Sequence, residues 1–414
     1  MTDRARPGKP VGPPRPVAYL VAGVSLLAHV VVSALGTAPF GMVDLRVYVD
    51  SAAHLADGTL YTYLSGPLGL PFTYPPFGAL IFAAIAPIPW AVLRGIWQAA
   101  SIAALGVMVH ASLRLLGRAG RGAVRPLPDV TAAVLVISAV ALWLEPVRTT
   151  LNYGQVNLFL GAALLAGAAS SRDWLAGASV GITAGVKLVP AITGVYYLLG
   201  RRWRAVGWSV AVFAATVALA AAFLPSESWQ YFTRLMFDAS RTGPIGSAIN
   251  QSWRGALLRI AGHDVPGWWL AATVVCVLAG LWAARRSLLA ADRLAGLVAI
   301  EMIGLLVSPI SWSHHWVWVV PLLIWAAFGP KRRHPAVRSV AVAWLVVTLG
   351  YLVSLLLVAE KAQGTVTGRP GWQAWLAAAY AVLGTLTLLV IGWVHRRAGR
   401  SVRAGRSPRL SGSP

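Results

Sequence analysis

The sequence predicts an all-α polytopic membrane protein. Of its 414 residues, 57% are hydrophobic and only 12% are charged, which leaves too little polar surface to cover a soluble core of this size. The hydrophobic residues form long runs, and the breaks between the runs are short and mostly basic. Because a spanning helix needs roughly 20 apolar residues, we expect about 12 transmembrane helices and no separate soluble domain.

Ten apolar runs read as single spans, and an eleventh run requires two. The single runs cover 16–36, 92–115, 129–145, 156–170, 203–224, 266–284, 294–309, 316–329, 337–359 and 373–394. The run 174–200 is flanked by arginines on both sides, so we expect two half-helices broken near Gly181, Gly185 and Lys187. Pro75–Trp90 has about 14 residues between prolines, which is too short to cross. It is predicted as an interfacial helix.

The positive-inside rule predicts the topology. Basic breaks at 118–125, 201–204, 285–286 and 331–338, together with both termini, are expected in the cytoplasm. This gives a cytoplasmic tail at 1–15, a single transmembrane domain at 16–395 in the plasma membrane, and a cytoplasmic tail at 396–414. The segment 37–91 becomes an extracytoplasmic loop with short interfacial helices. A retained anchor, not a cleaved signal peptide, is expected at the first span.

Charge and cysteine content narrow the possible functions. The net charge of +22 is dispersed into short runs between apolar segments, which predicts no nucleic-acid partner. The single Cys276 excludes a disulfide within the chain and a thiolate metal site. The sequence contains no HxxxH or HExxH spacing, so we expect neither a metal nor a cofactor.

The first candidate cluster lies in the loop 37–91, where three of the 13 acidic residues follow the first span. Asp44 comes some eight residues after that span and is flanked by apolar side chains, so it is the candidate for chemistry. Asp50 and Asp57 are expected to have structural roles. The loop also supplies candidate substrate-binding side chains, namely Arg46, Tyr48, His54, Tyr61 and Tyr74.

Two further polar segments are expected on the same face. In EPVRTTLNYGQVN, polar side chains could bind a sugar or could cap helix ends. The polar side chains there include Asn157, and the main candidates are Glu145, Arg148, Asn152 and Gln155. The loop 225–264 could bind a lipid headgroup or a glycan, or its arginines could be merely solvated. Its polar side chains include Arg234 and Arg241, and its main candidates are Asn250, Gln251 and Arg254.

The last candidate cluster is SPISWSHHWVWVVP, in which His314 and His315 begin a span. Adjacent helical residues point about 100° apart, so the two imidazoles are poorly placed to share a metal. Binding of a phosphate at a helix N-terminus is the better functional interpretation; interfacial packing is the alternative. Lys187, expected at an outer turn, is a further candidate for phosphate binding.

These residues fit the transfer of a sugar from a lipid phosphate. The leaving phosphate is already an anion and needs cations or hydrogen-bond donors, which Lys187, His314 and His315 could supply. The acceptor hydroxyl must lose a proton, and Asp44 could accept it. A hydrolase would need two carboxylates, which Asp44 and Asp50 could provide. A lipid or sugar transporter and a noncatalytic scaffold are further alternatives.

Several motifs occur in an order that resembles glycosyltransferase family 87. They are DLRVY at 44–48, PFTYPPF at 71–77, NYGQVN at 152–157, GITAGVKLVP at 181–190 and SPISWSHH at 308–315. The resemblance extends over about residues 16–395. It implies the membrane-embedded GT-C fold and a catalytic base at Asp44.

The resemblance also implies substrates. Mannose would pass from polyprenyl-phosphate mannose, with inversion, to a glycolipid acceptor at the periplasmic face, forming an α-(1→2) linkage. Within the family, the chain is most similar to enzymes that extend a phosphatidylinositol mannoside from four to five mannoses. Lipomannan-branching mannosyltransferases and arabinofuranosyltransferases remain the closest alternatives. The partners are therefore the lipid-linked donor, the glycolipid acceptor and membrane lipid, and the sequence does not indicate an oligomeric state.

Overall fold

The computed structural model describes residues 13–35, 41–117, 129–364 and 371–396. Nine helices form the first half: α1 Arg15–Leu35, α2 Val43–Ala52, α3 Pro76–Ile85, α4 Trp90–Gly117, α5 Val130–Ala141, α6 Glu145–Tyr153, α7 Asn157–Ala169, α8 Asp173–Val186 and α9 Thr193–Leu199. Ten follow: α10 Trp203–Phe223, α11 Pro225–Thr233, α12 Trp253–Ala261, α13 Pro266–Leu289, α14 Arg293–Val307, α15 Val319–Phe328, α16 Pro335–Leu349, α17 Leu352–Gln363, α18 Gly371–Leu376 and α19 Ala379–Val394. A short antiparallel hairpin joins α2 to α3, with β1 Leu64–Ser65 and β2 Leu70–Pro71.

The prediction of a helical membrane protein is confirmed, and the short hairpin is the exception among the described elements. Among the described residues, α1, α4, α10 and α13 are each long and apolar enough to cross a membrane. The number rises to six if α5–α6, bent by 78°, and α16–α17, bent by 41°, each form one span. Large apolar side chains such as Leu20, Leu219 and Leu278 are exposed on these helices, as lipid-facing residues must be. The expected total of about 12 spans stays a prediction.

Capping and proline residues define several helix boundaries. The Asp129 carboxylate accepts a hydrogen bond from the Ala132 amide at the start of α5, and Asp292 does the same for Ala295 at the start of α14. Pro76 occupies the first position of α3, where a missing amide hydrogen has no cost. The ten residues of α3 span roughly 15 Å, which is too short to cross a bilayer. A short helix is thus present within the predicted range 75–90, and its interfacial position stays a prediction.

The run 174–200 is broken as expected, but its glycines do not break it. Helix α8 continues through Gly181 and Gly185 and ends at Val186, and the chain leaves the helix in an extended conformation at Lys187. The two glycines instead allow α8 to approach α10. A Cβ at Gly181 would lie 2.7 Å from the Phe213 amide nitrogen, and one at Gly185 would lie 2.4 Å from the Thr216 hydroxyl. Small residues at four-residue spacing are typical of such close helix pairs in membranes.

The apolar side chains form two main cores. The larger core fills the bundle around α4, α7, α14, α15 and α19. The second core lies beneath the loop 41–89 and joins Leu45 and Tyr48 of α2 to Phe82 of α3 and to Val156 and Val186 of the bundle. The loop is therefore a packed cap on one end of the bundle. The predicted tails at 1–15 and 396–414 and the basic loop at 118–125 lie almost entirely outside the described residues.

Candidate active site

A cavity of ≈ 540 Å³ opens where the packed loop meets the bundle. Its wall includes side chains from α2, from the segments before α3 and α7, from the end of α8, and from two short turns at 239–242 and 313–318. Its polar lining includes Asp44, Tyr48, Tyr74, Gln155, Lys187, Arg241, His314 and His315. Seven of the predicted site residues are therefore in one place, although they come from five separate segments of the sequence.

Asp44 is placed by a tight contact between α2 and the turn after α6. The Met42 amide donates to the Asn152 carbonyl at 3.0 Å, which attaches the start of α2 to the end of α6. Gly154 ends α6 with a φ of 70°, in the left-handed region that favours glycine. A Cβ at Gly154 would lie 2.7 Å from the Leu45 Cβ. Only glycine at position 154 allows α2 to pack this closely against the turn. This packing brings Asp44 next to Gln155, the residue that follows the glycine.

A directed series of hydrogen bonds ends on Asp44. The Gln155 side-chain nitrogen donates to Asp44 Oδ2 at 2.7 Å, and the Gln155 Oε1 accepts from the Tyr74 hydroxyl at 2.9 Å. Since the Tyr74 proton is used in this way, Tyr48 donates to the Tyr74 oxygen at 2.8 Å. Within the described chain, no hydrogen bond involves Asp44 Oδ1, so that oxygen is available in the cavity.

Burial raises the pKa of Asp44 to about 6, and the Gln155 hydrogen bond and the charge of Lys187 oppose that rise. The carboxyl is therefore mostly ionised near neutral pH, yet it is far more basic than an exposed aspartate. A pKa close to the working pH is the property that general-base catalysis requires.

Lys187 lies where α8 ends, and its ammonium is surrounded by neutral acceptors. It donates to Asn157 Oδ1 at 3.1 Å, contacts His315 Nε2 at 3.1 Å, and lies 5.1 Å from the centre of the Tyr74 ring. Burial lowers the pKa of Lys187 to about 7, and the charge of Asp44 partly opposes that change. The ammonium has no direct carboxylate partner among the described residues, so an anionic ligand would supply the negative charge that the protein does not place beside it.

The two histidines have different surroundings. The His314 backbone carbonyl accepts from Thr150 Oγ1 at 2.9 Å and from Asn157 Nδ2 at 2.8 Å, which fixes this residue in place. Both ring nitrogens of His314 are buried and have no hydrogen-bond partner in the described part of the chain. Because Lys187 can only donate, His315 Nε2 accepts and its ring proton is on Nδ1. His314 belongs to the cavity wall, and both of its ring nitrogens keep unused hydrogen-bonding capacity.

Several candidates from the first loop lie outside the cavity. Arg46 donates to Asp50 at 3.1 Å, and Asp50 also accepts from Ser65 at 2.8 Å. His54 contacts Asp57 at 2.8 Å at the surface. These groups stabilise the loop, so the expected structural roles of Asp50 and Asp57 agree with their contacts. A pair of catalytic carboxylates formed by Asp44 and Asp50 is not present.

Glu145 is fully buried at the start of α6, away from the cavity. Its carboxylate accepts from Ser354 Oγ at 2.7 Å, from the Tyr380 hydroxyl at 3.1 Å and from the Val353 amide at 3.3 Å. The structure thus places it at the junction of three helices, where it satisfies donors that no water reaches. This arrangement corresponds to the capping alternative, not to sugar binding.

Arg148, Asn152 and Tyr61 also lie outside the cavity lining. Arg148 is buried and hydrogen-bonds to the imidazole of His29. Asn152 contributes its backbone carbonyl to the contact with α2. Tyr61 donates to the backbone carbonyl of Tyr74 at 2.9 Å and so supports a cavity residue indirectly.

The candidates of the loop 225–264 have structural partners. The Asn250 amide bonds to four backbone groups, and the Gln251 amide bonds to three. Both residues are completely buried. Arg254 forms an ion pair of 2.8 Å with Asp264. Asn250 and Gln251 therefore anchor the loop against the bundle, Arg254 pairs within the loop, and none of the three lines the cavity.

Arg241 and Asn157 also belong to the site, although neither was selected from the polar side chains of its segment as a predicted site residue. The Arg241 guanidinium donates to the Tyr61 carbonyl at 2.7 Å and lines the cavity. No pattern in the sequence separates it from the neighbouring arginines of the same loop. Asn157 belongs to the NYGQVN motif, and its side chain contacts both Lys187 and His314. Its position at the start of an apolar helix was the available signal.

Comparisons with known proteins identify this protein as a membrane glycosyltransferase. The chain belongs to glycosyltransferase family 87, whose profile it matches over residues 72–309.

Two similar proteins are described as polyprenol-phosphate-mannose-dependent α-(1-2)-phosphatidylinositol pentamannoside mannosyltransferases. The one from Mycobacterium tuberculosis is 43% identical over 85% of this chain and 80% of its own length. The one from Mycolicibacterium smegmatis is 40% identical over 91% of each chain. Among solved structures, ArnT from Cupriavidus metallidurans bound to undecaprenyl phosphate is 17% identical, covering 94% of this chain and 78% of that chain, with a TM-score of 0.35.

Proposed function

We propose that the protein transfers mannose from polyprenyl-phosphate mannose to a phosphatidylinositol mannoside, forming an α-(1→2) linkage. The activity named for relatives that are 43% and 40% identical supports both substrates. The site supports the reaction type, because one basic carboxylate shares a cavity with an ammonium, a guanidinium and two imidazoles. A GT-C fold with this cavity on the extracytoplasmic face, and with both termini in the cytoplasm, belongs to the same proposal.

Asp44 acts as the general base. Its free Oδ1 accepts the proton of the acceptor hydroxyl as that oxygen forms a bond to the anomeric carbon of mannose. The bond between the anomeric carbon and the phosphate oxygen breaks on the opposite face of the sugar. The configuration is therefore inverted, and the electron pair leaves with the polyprenyl phosphate.

Lys187, Arg241 and the two histidines bind the leaving phosphate. The phosphate is a good leaving group without a proton, so the protein needs only to stabilise its charge as the bond breaks. The ammonium of Lys187 supplies charge, and the unpartnered ring nitrogen atoms of His314 supply a hydrogen bond. A donor phosphate would then satisfy the buried groups that lack a partner in the protein.

The single observation that carries this proposal is the isolation of Asp44. Asp50 lies outside the cavity, and the other carboxylate of the lining, Asp238, is exposed and accepts from Ser240 at 3.0 Å. A hydrolase would need a second carboxyl group as acid. Transfer from a lipid phosphate needs one base and a cationic phosphate site, and this cavity has both.

The test is transfer by purified protein supplied with polyprenyl-phosphate mannose and a phosphatidylinositol tetramannoside. We expect a pentamannoside whose new mannose is released by an α-(1→2)-specific mannosidase. Parallel reactions contain lipomannan as acceptor or an arabinofuranosyl lipid phosphate as donor. Faster turnover in either parallel reaction would overturn the substrate assignment, and the absence of transfer in all three would overturn the proposal itself.

A further inference from the structure

A second polar cavity, of ≈ 470 Å³, lies at the opposite end of the bundle from Asp44. Helix α10 begins directly after Arg202, which lines this cavity, and its 21 residues lead towards α11 and Tyr231 of the catalytic cavity. Helix α14 likewise begins at Arg293 and ends one residue before Ser308 of the catalytic cavity. At 1.5 Å per residue, these helices separate the two cavities by roughly 20–30 Å.

The second cavity is strongly basic. Four arginines line it, namely Arg201, Arg202, Arg285 and Arg293, and no acidic side chain of the described chain appears in the lining. Arg202 is paired with Asp173 at 2.7 Å. The other three have neither a hydrogen bond nor an ion pair from their side chains within the described residues. These three arginines come from the turn before α10, from α13 and from α14, and guanidinium groups that line one cavity are a typical receptor for phosphate oxygens.

The cavity lies at the ends of two candidate membrane spans, where lipid headgroups would be found. Helices α10 and α13 are both candidate membrane spans, and the cavity lies at the first residue of one and near the last residues of the other. Its rim is apolar and exposed, since Leu289 is 56% and neighbouring Trp203 is 64% exposed. The polar part of a ligand in this cavity would contact the arginines. Its apolar part would contact the lipid-facing surface at the rim.

The two loops that form the cavity are held in unusual conformations. Arg201 has a φ of 55° and Ala291 a φ of 59°, and four non-glycine residues in all have a positive φ in the described part of the chain. Backbone hydrogen bonds hold both turns, from the Arg202 amide to the Tyr197 carbonyl at 2.9 Å and from the Asp292 amide to the Ser287 carbonyl at 2.9 Å. The hydrogen bonds in these turns therefore fix the backbone that carries Arg201 and Arg293.

We propose that this cavity binds the headgroup of an anionic phospholipid in the membrane leaflet opposite the catalytic cavity. Its phosphate oxygens would contact Arg201, Arg285 and Arg293, and its acyl chains would lie along Leu289. Three guanidinium groups that are unpaired within the described residues can bind more than one phosphate, so a headgroup with two phosphates is the preferred ligand. The proposal is independent of the substrates of the catalytic cavity.

The test is binding of cardiolipin, a phospholipid with two phosphates, to detergent-purified full-length protein by native mass spectrometry. The variant R285Q/R293Q removes two cavity arginines. The matched control R204Q/R286Q removes the same charge from neighbouring arginines that do not line the cavity. With about 1 kcal/mol per arginine near a lipid phosphate, R285Q/R293Q should bind cardiolipin about 30-fold more weakly, and the control should change binding less than threefold.

Three results would overturn the proposal: equal losses in the two double variants, equally tight binding of phosphatidylcholine, or displacement of cardiolipin by inorganic pyrophosphate at matched concentration. If R285Q/R293Q does not elute as a single folded species, Leu289→Glu provides the same test. It keeps every arginine and adds a carboxylate at an exposed rim position, so it should weaken cardiolipin binding at least tenfold. Unchanged binding in Leu289→Glu would count against the site.

Discussion

The Gln155 side-chain amide donates to Asp44 Oδ2 at 2.7 Å and accepts from the Tyr74 hydroxyl at 2.9 Å. The tyrosine fixes which end of the amide faces the aspartate, so one carboxylate oxygen is occupied and the other remains free. A buried carboxylate without this hydrogen bond would be harder to ionise. Gln155 therefore controls both the orientation and the basicity of the proposed base.

Replacing Gln155 by Met should move the acid limb of the pH profile upwards. The Gln155 hydrogen bond lowers the pKa of Asp44, which is about 6, so its loss raises that pKa. Because activity needs the carboxylate, kcat/KM falls as the pH drops through the pKa of the free enzyme. We expect the acid limb to move by about one pH unit. An unchanged acid limb in a folded Gln155→Met protein would show that another group controls it.

Replacing Lys187 by Arg should remove the alkaline limb. The Lys187 ammonium has a pKa of about 7 and is lost as the pH rises through that value, whereas arginine stays charged. The wild-type profile should therefore be a narrow bell with limbs near pH 6 and 7. Lys187→Arg should give a plateau above the acid limb even if its maximal rate is lower. A bell of unchanged shape would exclude Lys187 as the titrating group.

Replacing His314 by Ala should lower kcat/KM for the donor more than kcat/KM for the acceptor. Its buried ring has no protein partner, and we assign it to the donor phosphate. Loss of a hydrogen bond to a charged group costs about 1.5–3 kcal/mol, or roughly 10- to 150-fold in kcat/KM for the donor. His54→Ala is the control, because His54 contacts Asp57 outside the cavity. An effect confined to the KM of the acceptor would assign His314 to the acceptor.

Replacing Gly154 by Ala should reduce stability and activity together. The new Cβ would lie 2.7 Å from the Leu45 Cβ and would occupy a left-handed conformation. We expect a loss of about 2–4 kcal/mol and a displaced Asp44. Gly106→Ala is the control, since a Cβ there meets nothing within 4 Å. Thermal unfolding in detergent measures the difference, and equal melting temperatures for the two variants would contradict the close contact.

The sequence was sufficient to predict the helical membrane class, the break at Lys187 and the core of the site. Each depends on a local property: apolar run length, flanking arginines, or a carboxylate isolated beside a span. Asp44, Lys187, Gln155 and the two histidines could therefore be found without the structure.

The remaining candidates show that local sequence patterns cannot distinguish binding residues from buried structural ones. Glu145, Asn250 and Gln251 are polar residues in apolar surroundings, as binding residues often are. Each has partners from segments roughly 60–235 residues away, so only the packed fold shows that their hydrogen-bonding capacity is already used. Arg241 was not selected from the arginines of its loop for the converse reason, because its position in the cavity depends on how the loop 234–247 folds over Tyr61.

Asp44→Asn tests the central claim most directly, with Asp50→Asn on the same helix as its control. Removal of a general base should lower kcat for mannose transfer by about 10²- to 10⁴-fold, while binding of polyprenyl-phosphate mannose and thermal unfolding stay close to wild type. Asp50→Asn, whose partners are Arg46 and Ser65, should keep its rate within about threefold. Turnover by Asp44→Asn within tenfold of wild type would contradict the assignment of Asp44 as the base.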